Sequence, residues 1–135
     1  MTRFSGPDSR HHIRRLQSGK LLMVYHDSEK IRQRLAAWVS DDDGETWVGP
    51  LILDERDNVA YPDSTQSSDG RIFVIYDRDR GGDGDIIVAV FREENVLARK
   101  IVSGDARMTR LVNRLTHGRW EKQGLRAPVL EEKKI

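Results

Sequence analysis

The chain has 135 residues, no cysteine, and 23 basic against 22 acidic side chains, for a formal net charge of +1. Disulfide and thiol chemistry are excluded, and interspersed charges of both signs leave no footprint for nucleic acid. The length suits one domain with its own core; polar opening residues and no membrane-length apolar run predict a soluble chain with neither signal peptide nor anchor, its compartment left open.

Apolar alternation predicts strands near residues 10–16, 20–26, 33–39 and 48–53. Between the last two lies Ser40-Asp41-Asp42-Asp43-Gly44-Glu45-Thr46-Trp47, which reads S-x-D-x-G-x-T-W. The Asp-Gly pair lets the chain reverse tightly, because Gly accepts positive φ and Asp bonds nearby backbone. Ser40 and Thr46 can tie the turn through their hydroxyls, and Trp47 offers an apolar plug for the next strand. A second series of strands falls near 61–66, 71–77 and 85–91. Phe91 to Arg99 then breaks the alternation, and its Glu-rich opening allows one or two helical turns. Thr109 to Asn113 reads as a returning strand, Gly118-Arg119-Trp120 as the start of a closing one, and Glu131-Glu132-Lys133-Lys134 as a frayed tail.

The two series are copies. Gly19 and Gly70 lie 51 residues apart (70 − 19), as do Tyr25 and Tyr76, and the same offset carries Leu35–Val39 onto Ile86–Val90. Four-stranded antiparallel units repeating near every 50 residues are the blades of β-propellers. The expected fold is therefore all-β, a single partial propeller unit over residues 1–135. Blade one covers about 10–55, blade two about 60–115, and a tail 116–135. Two open blades leave faces and edges uncovered, while propellers have about 4–8 blades. Oligomerisation could close a ring, with a homotrimer giving six blades. The alternative is a piece of a longer protein.

The eight-residue motif resembles the Asp-box, or BNR repeat, of sialidases (neuraminidases), where it marks the blade rim. From Arg10 to Asp77 the chain is similar to the C-terminal third of that six-bladed fold. The matching landmarks are Arg32 with Leu35-Ala36-Ala37-Trp38 after it, then Trp47, Tyr61, Asp69-Gly70 and Tyr76-Asp77. Sialidase-like bacterial proteins of unknown substrate share the wording Tyr61-Pro62-Asp63-Ser64. The resemblance implies that Arg32 is substrate-binding, a planar, permanently charged clamp for the carboxylate of sialic acid. It makes Tyr61 the catalytic nucleophile, a recognised exception among retaining glycosidases. Asp77 would brace an arginine from the first blade, where the family usually has Glu. The family's glutamate base, general-acid aspartate and two further arginines belong to blades outside this sequence. The expectation is a sialidase-like glycoside hydrolase fragment with an incomplete site on one chain. The alternative is a non-catalytic carbohydrate-binding or interaction module of self-assembled blades. The implied partners are a sialic-acid-like or other anionic glycan and further copies of the chain.

Other readings of these residues stay open. Arg32 competes with Arg34, and either could be a solvated strand charge. Tyr61 could be an ordinary packed strand residue, and Asp77 could cap the following turn. His11 and His12 point to opposite faces of a strand, and neither His26 nor His117 has metal-ligand spacing. The Asp77–Asp85 loop fails the EF-hand template and reads as a flexible hairpin connection. No metal or cofactor is expected.

Overall fold

The computed structural model describes residues 4–115, which form two four-stranded antiparallel sheets. The first contains β1 (His12–Arg15), β2 (Leu21–His26), β3 (Gln33–Ser40) and β4 (Val48–Asp57), paired in chain order. The second contains β5 (Val59–Gln66), β6 (Ile72–Arg78), β7 (Asp85–Phe91) and β8 (Arg107–Asn113), again in chain order. One helix, α1 (Glu93–Ala98), joins β7 to β8. The expected strands near 10–16, 20–26, 33–39, 48–53, 61–66, 71–77, 85–91 and 109–113 each coincide with one of these. The closing strand expected at Gly118-Arg119-Trp120 and the tail 116–135 lie outside the described residues.

Tight turns punctuate the ladders as the sequence demands. Gly19 and Gly70, the repeat landmarks, both have φ +91°, a conformation that costs glycine nothing and a side-chain residue about 1–2 kcal/mol. In the S-x-D-x-G-x-T-W hairpin Asp43 and Gly44 both take positive φ. The Ser40 hydroxyl, buried, donates to Asp42 Oδ1 at 2.8 Å and accepts the Gly44 N–H at 2.9 Å. Asp42 also accepts from the Thr46 N–H at 2.8 Å and the Thr46 hydroxyl at 2.5 Å, and these donors hold its carboxyl down at about 2. Trp47 is half-buried, its Nε1 donating to the Gly44 carbonyl.

The core lies between the sheets. Leu22, Val24, Leu35, Ala37, Val39, Leu51 and Leu53 of the first pack against Ile72, Val74, Tyr76, Ile87, Ala89 and Phe91 of the second. Parity along the strands reveals how they stack. Carried forward 51 residues, Leu22 and Val24 become Phe73 and Ile75, which point away from this core, and not Ile72 and Val74, which point into it. The sheets therefore stack front to back. On the outward face of the first sheet Met23, Ala36 and Trp38 are buried beneath Phe4, with Tyr25, Trp47 and Ile52 alongside. Phe4 meets Trp38 and Trp47 edge-on at 5.1 and 5.9 Å. Among the described residues nothing comparable covers the corresponding face of the second sheet, where Ile75 is 45% exposed.

Candidate functional site

Three connections meet at one end of the stack: the loop from β2 to β3, the single-residue link Asn58 between β4 and β5, and the loop from β6 to β7. Backbone bonds lace them together. The Val59 N–H donates to the Arg32 carbonyl at 3.2 Å, and the Asp79 N–H to the Asn58 carbonyl at 2.9 Å. Buried His26 adds a tie, its Nε2 2.6 Å from the Val59 carbonyl. Burial holds the His26 pKa below the ordinary histidine value, which keeps the ring neutral and suited to donate one proton to that carbonyl. Between the loops opens a cleft of about 310 Å³ lined by Arg32, Asn58, Ala60, Asp77, Asp79, Arg80 and Gly81.

Backbone strain concentrates at this end. Of the seven non-glycine residues with positive φ among the described residues, Arg34, Asn58, Tyr61 and Asp79 lie here, with φ between 53° and 61°. Tyr61 is the least expected of them. It precedes Pro62, a position biased towards extended backbone, and an aromatic residue in the left-handed region stores about 1–3 kcal/mol. The local cause is a bulge: Ala60 pairs with Asp77 and Asp63 with Ile75, so three steps on β5 match two on β6. The extra residue throws the Tyr61 ring outward, 38% exposed.

Two guanidinium groups cover that ring. Arg32 Cζ stands 5.6 Å from the ring centroid and Arg80 Cζ 4.1 Å, both inside cation–π range. Arg32 is held from the other side by the N-terminal segment, donating through Nη2 to the Asp8 carbonyl at 2.9 Å. Arg80 donates to Asp77 Oδ2 at 2.6 Å, and this bond raises the Arg80 pKa further above its already high value. Behind the cleft a buried polar cluster fixes the strand ends. Asp54 accepts the Tyr76 hydroxyl at 2.7 Å and both Nε and Nη2 of Arg56 at 2.9 and 2.7 Å. Burial alone would raise the Asp54 pKa, but the bonds from Arg56 and Tyr76 outweigh it and the carboxyl stays ionised. Burial and then the Asp54 bond drive the Tyr76 phenol upward, so it remains a donor.

The residues singled out from the sequence thus gather in one place: Arg32 and Asp77 line the cleft, and Tyr61 lies under Arg32 at its mouth. Arg34 does not join them. It occupies a bulge of β3 and pairs with Asp27 and Glu55 at 3.3 and 3.4 Å. Arg80 and His26 were not anticipated. The only sequence signal for Arg80 was a pair of arginines in a glycine-rich hairpin, and nothing short of the fold places it over Tyr61. Of the other histidines, His12 approaches Ser64 Oγ at 2.7 Å and His11 packs edge-on against Tyr25, while His117 lies outside the described residues. Among the described residues no three His, Asp or Glu side chains converge as metal ligands. Chemically the cleft offers donors (Arg32, Arg80) and acceptors (Asp77, Asp79), with the Tyr61 ring beneath the two arginines.

The family model of the BNR repeat-like domain matches residues 1–74, a little over half the chain, including the S-x-D-x-G-x-T-W hairpin, Arg32 and Tyr61. Neither a curated protein nor a solved structure shows significant similarity to the chain.

Proposed function

The chain belongs to the BNR repeat-like domain family, and from that premise we propose that it forms two blades of a sialidase-type propeller whose hub-end cleft takes a sugar acid. In this reading Arg32 clamps the carboxylate, Tyr61 stands where a glycosyl-enzyme bond would form, and Asp77 braces the cationic side of the site. The supporting observation is the placement of Tyr61: a strained, solvent-facing phenol under two guanidinium groups, at an inter-sheet cleft of monosaccharide size. Strain of this kind persists where the surroundings impose it, and it clusters at ligand sites. The remaining machinery of a hydrolase would come from further blades, supplied by neighbouring copies or by a longer chain. A cyclic trimer is the arrangement that brings two blades to six. Hydrolysis of a fluorogenic sialoside, abolished in Tyr61→Phe and restored in no other single variant, is the result this reading requires; turnover unchanged by Tyr61→Phe rejects it.

A specific observation favours a second reading, binding without hydrolysis. A tyrosine nucleophile needs a base to take its proton. Among the described residues both groups over the Tyr61 ring are cations, and Asp77 is committed to Arg80. Retention of acidic glycans on an array, with no product released, selects this reading over the first.

A further inference from the structure

Arg80 reaches the cleft from the second sheet, Arg32 from the first, and both stand over the same ring. Arg80 sits on a loop carrying Gly81, Gly82 and Gly84, and its side chain is 58% exposed, so it can turn between partners at little cost. Its partner is Asp77. The formal charges of the lining cancel: two guanidinium groups, Arg32 and Arg80, face two carboxylates, Asp77 and Asp79. A bare anion entering such a site must compete with Asp77 for Arg80 and leaves that carboxylate without a donor. A ligand that carries hydroxyl donors beside its carboxylate satisfies both halves of the pair at once. The volume of about 310 Å³ is near the lower bound for ligand pockets and suits one sugar ring.

We propose that Arg80 and Asp77 act as a specificity pair: Arg80 joins Arg32 on the carboxylate of the ligand, Asp77 accepts from a neighbouring hydroxyl, and the cleft of this one chain selects sugar acids over simple anions. The inference rests on the sugar-acid reading of the cleft but requires no residue from another blade. It also adds a residue, Arg80, to which that reading assigns no role.

The test is titration of the full chain, followed by amide chemical shifts, with N-acetylneuraminic acid, its methyl ester and acetate as probes. The wild type binds the acid, binds the ester at least about tenfold more weakly, and binds acetate more weakly still. Arg80→Ala loses about tenfold towards the acid, and Arg80→Lys, which keeps the charge without the planar fork, recovers part of it. Asp77→Asn moves the two anions in opposite directions, weakening the sugar acid and strengthening acetate, a split that general damage to the loop does not produce. If Arg32→Ala abolishes binding while Arg80→Ala and Asp77→Asn bind as the wild type does, the pair is refuted and the sugar-acid reading survives. Binding unchanged by Arg32→Ala as well puts the ligand elsewhere and removes both. A wild type that binds none of the probes refutes the pair, which requires this chain to suffice.

Discussion

The third and fourth strands of each sheet are joined at equivalent places by unlike means. Ser40–Trp47 closes the first sheet's hairpin from within, with Ser40, Asp42, Gly44 and Thr46 satisfying one another. The residues 51 further on, Phe91–Ala98, hold Phe91 and α1. There Asn95 Oδ1 accepts the Arg92 N–H at 2.8 Å and the Ser103 hydroxyl at 3.0 Å. Val96, fully buried, enters the core between the sheets, and α1 packs on β3 and β4. One connector is a local knot and the other a tertiary brace. Repetition has preserved the strand scaffold, where alternation sets which face is buried, and has left the connectors free to differ.

Substitutions can break that contrast, beginning with the brace. Phe91→Ala empties a fully buried site shared by both sheets and lowers stability by about 3–5 kcal/mol in denaturant unfolding. A loss under 1 kcal/mol means that Phe91, at the end of β7 where the chain enters the α1 connector, does not anchor the two sheets to each other. The outward faces come next. Phe4→Ala uncovers Met23, Trp38 and Trp47 and costs about 1–2 kcal/mol, since Phe4 is only half-buried; Ile75→Ala on the corresponding face of the second sheet changes stability by less than about 0.5 kcal/mol. Equal effects at the two positions would mean that the N-terminal segment does not cover its sheet in solution. Ser40→Ala and Asn95→Ala each remove a buried side-chain acceptor from a backbone N–H, of Gly44 and Arg92 respectively, and each costs about 1–2 kcal/mol. Their double variant is additive within about 0.5 kcal/mol if the connectors are independent, and coupling beyond that contradicts the local character of the first.

The smallest expected effect is in the pH dependence of melting. The Asp42 pKa in the folded chain is lowered to about 2, first by the Thr46 hydroxyl, so its contribution is complete above the unfolded carboxylate value near 4. That contribution fades as pH falls from about 4 to about 2. Asp69, in the turn between β5 and β6, is likewise lowered to about 2, chiefly by Ser67. Asp42→Asn and Asp69→Asn should each flatten the melting profile in that window. A profile unchanged by both shows that neither turn titrates as its donors require.

The strands were legible because period-two alternation and glycine turns are local signals. Even so β4 runs on to Asp57, past the apolar stretch, because Asp54 finds Arg56 and Tyr76 and the charged end stays paired with β3. Polar Asp54 is buried for a reason that lies in another sheet. The cleft was half legible. Arg32, Tyr61 and Asp77 stand out by their spacing, whereas Arg80 sits in a loop whose composition suggests only flexibility. Its stacking on Tyr61 depends on a bulge that no local pattern announces. His26 was invisible for the same reason, since its partner Val59 is brought to it by the joining of two sheets.

Front-to-back stacking gives the molecule a polarity, like a brick with a stud on one side and a socket on the other. A two-fold pair can consume such surfaces only by mating like with like, whereas repeated addition renews the same free surface at every step. Phe4 occupies the socket, so any partner seated on that side would first have to displace one aromatic residue. The two outward faces thus differ in cover: Met23 and Trp38 lie beneath Phe4, whereas Ile75 is 45% exposed.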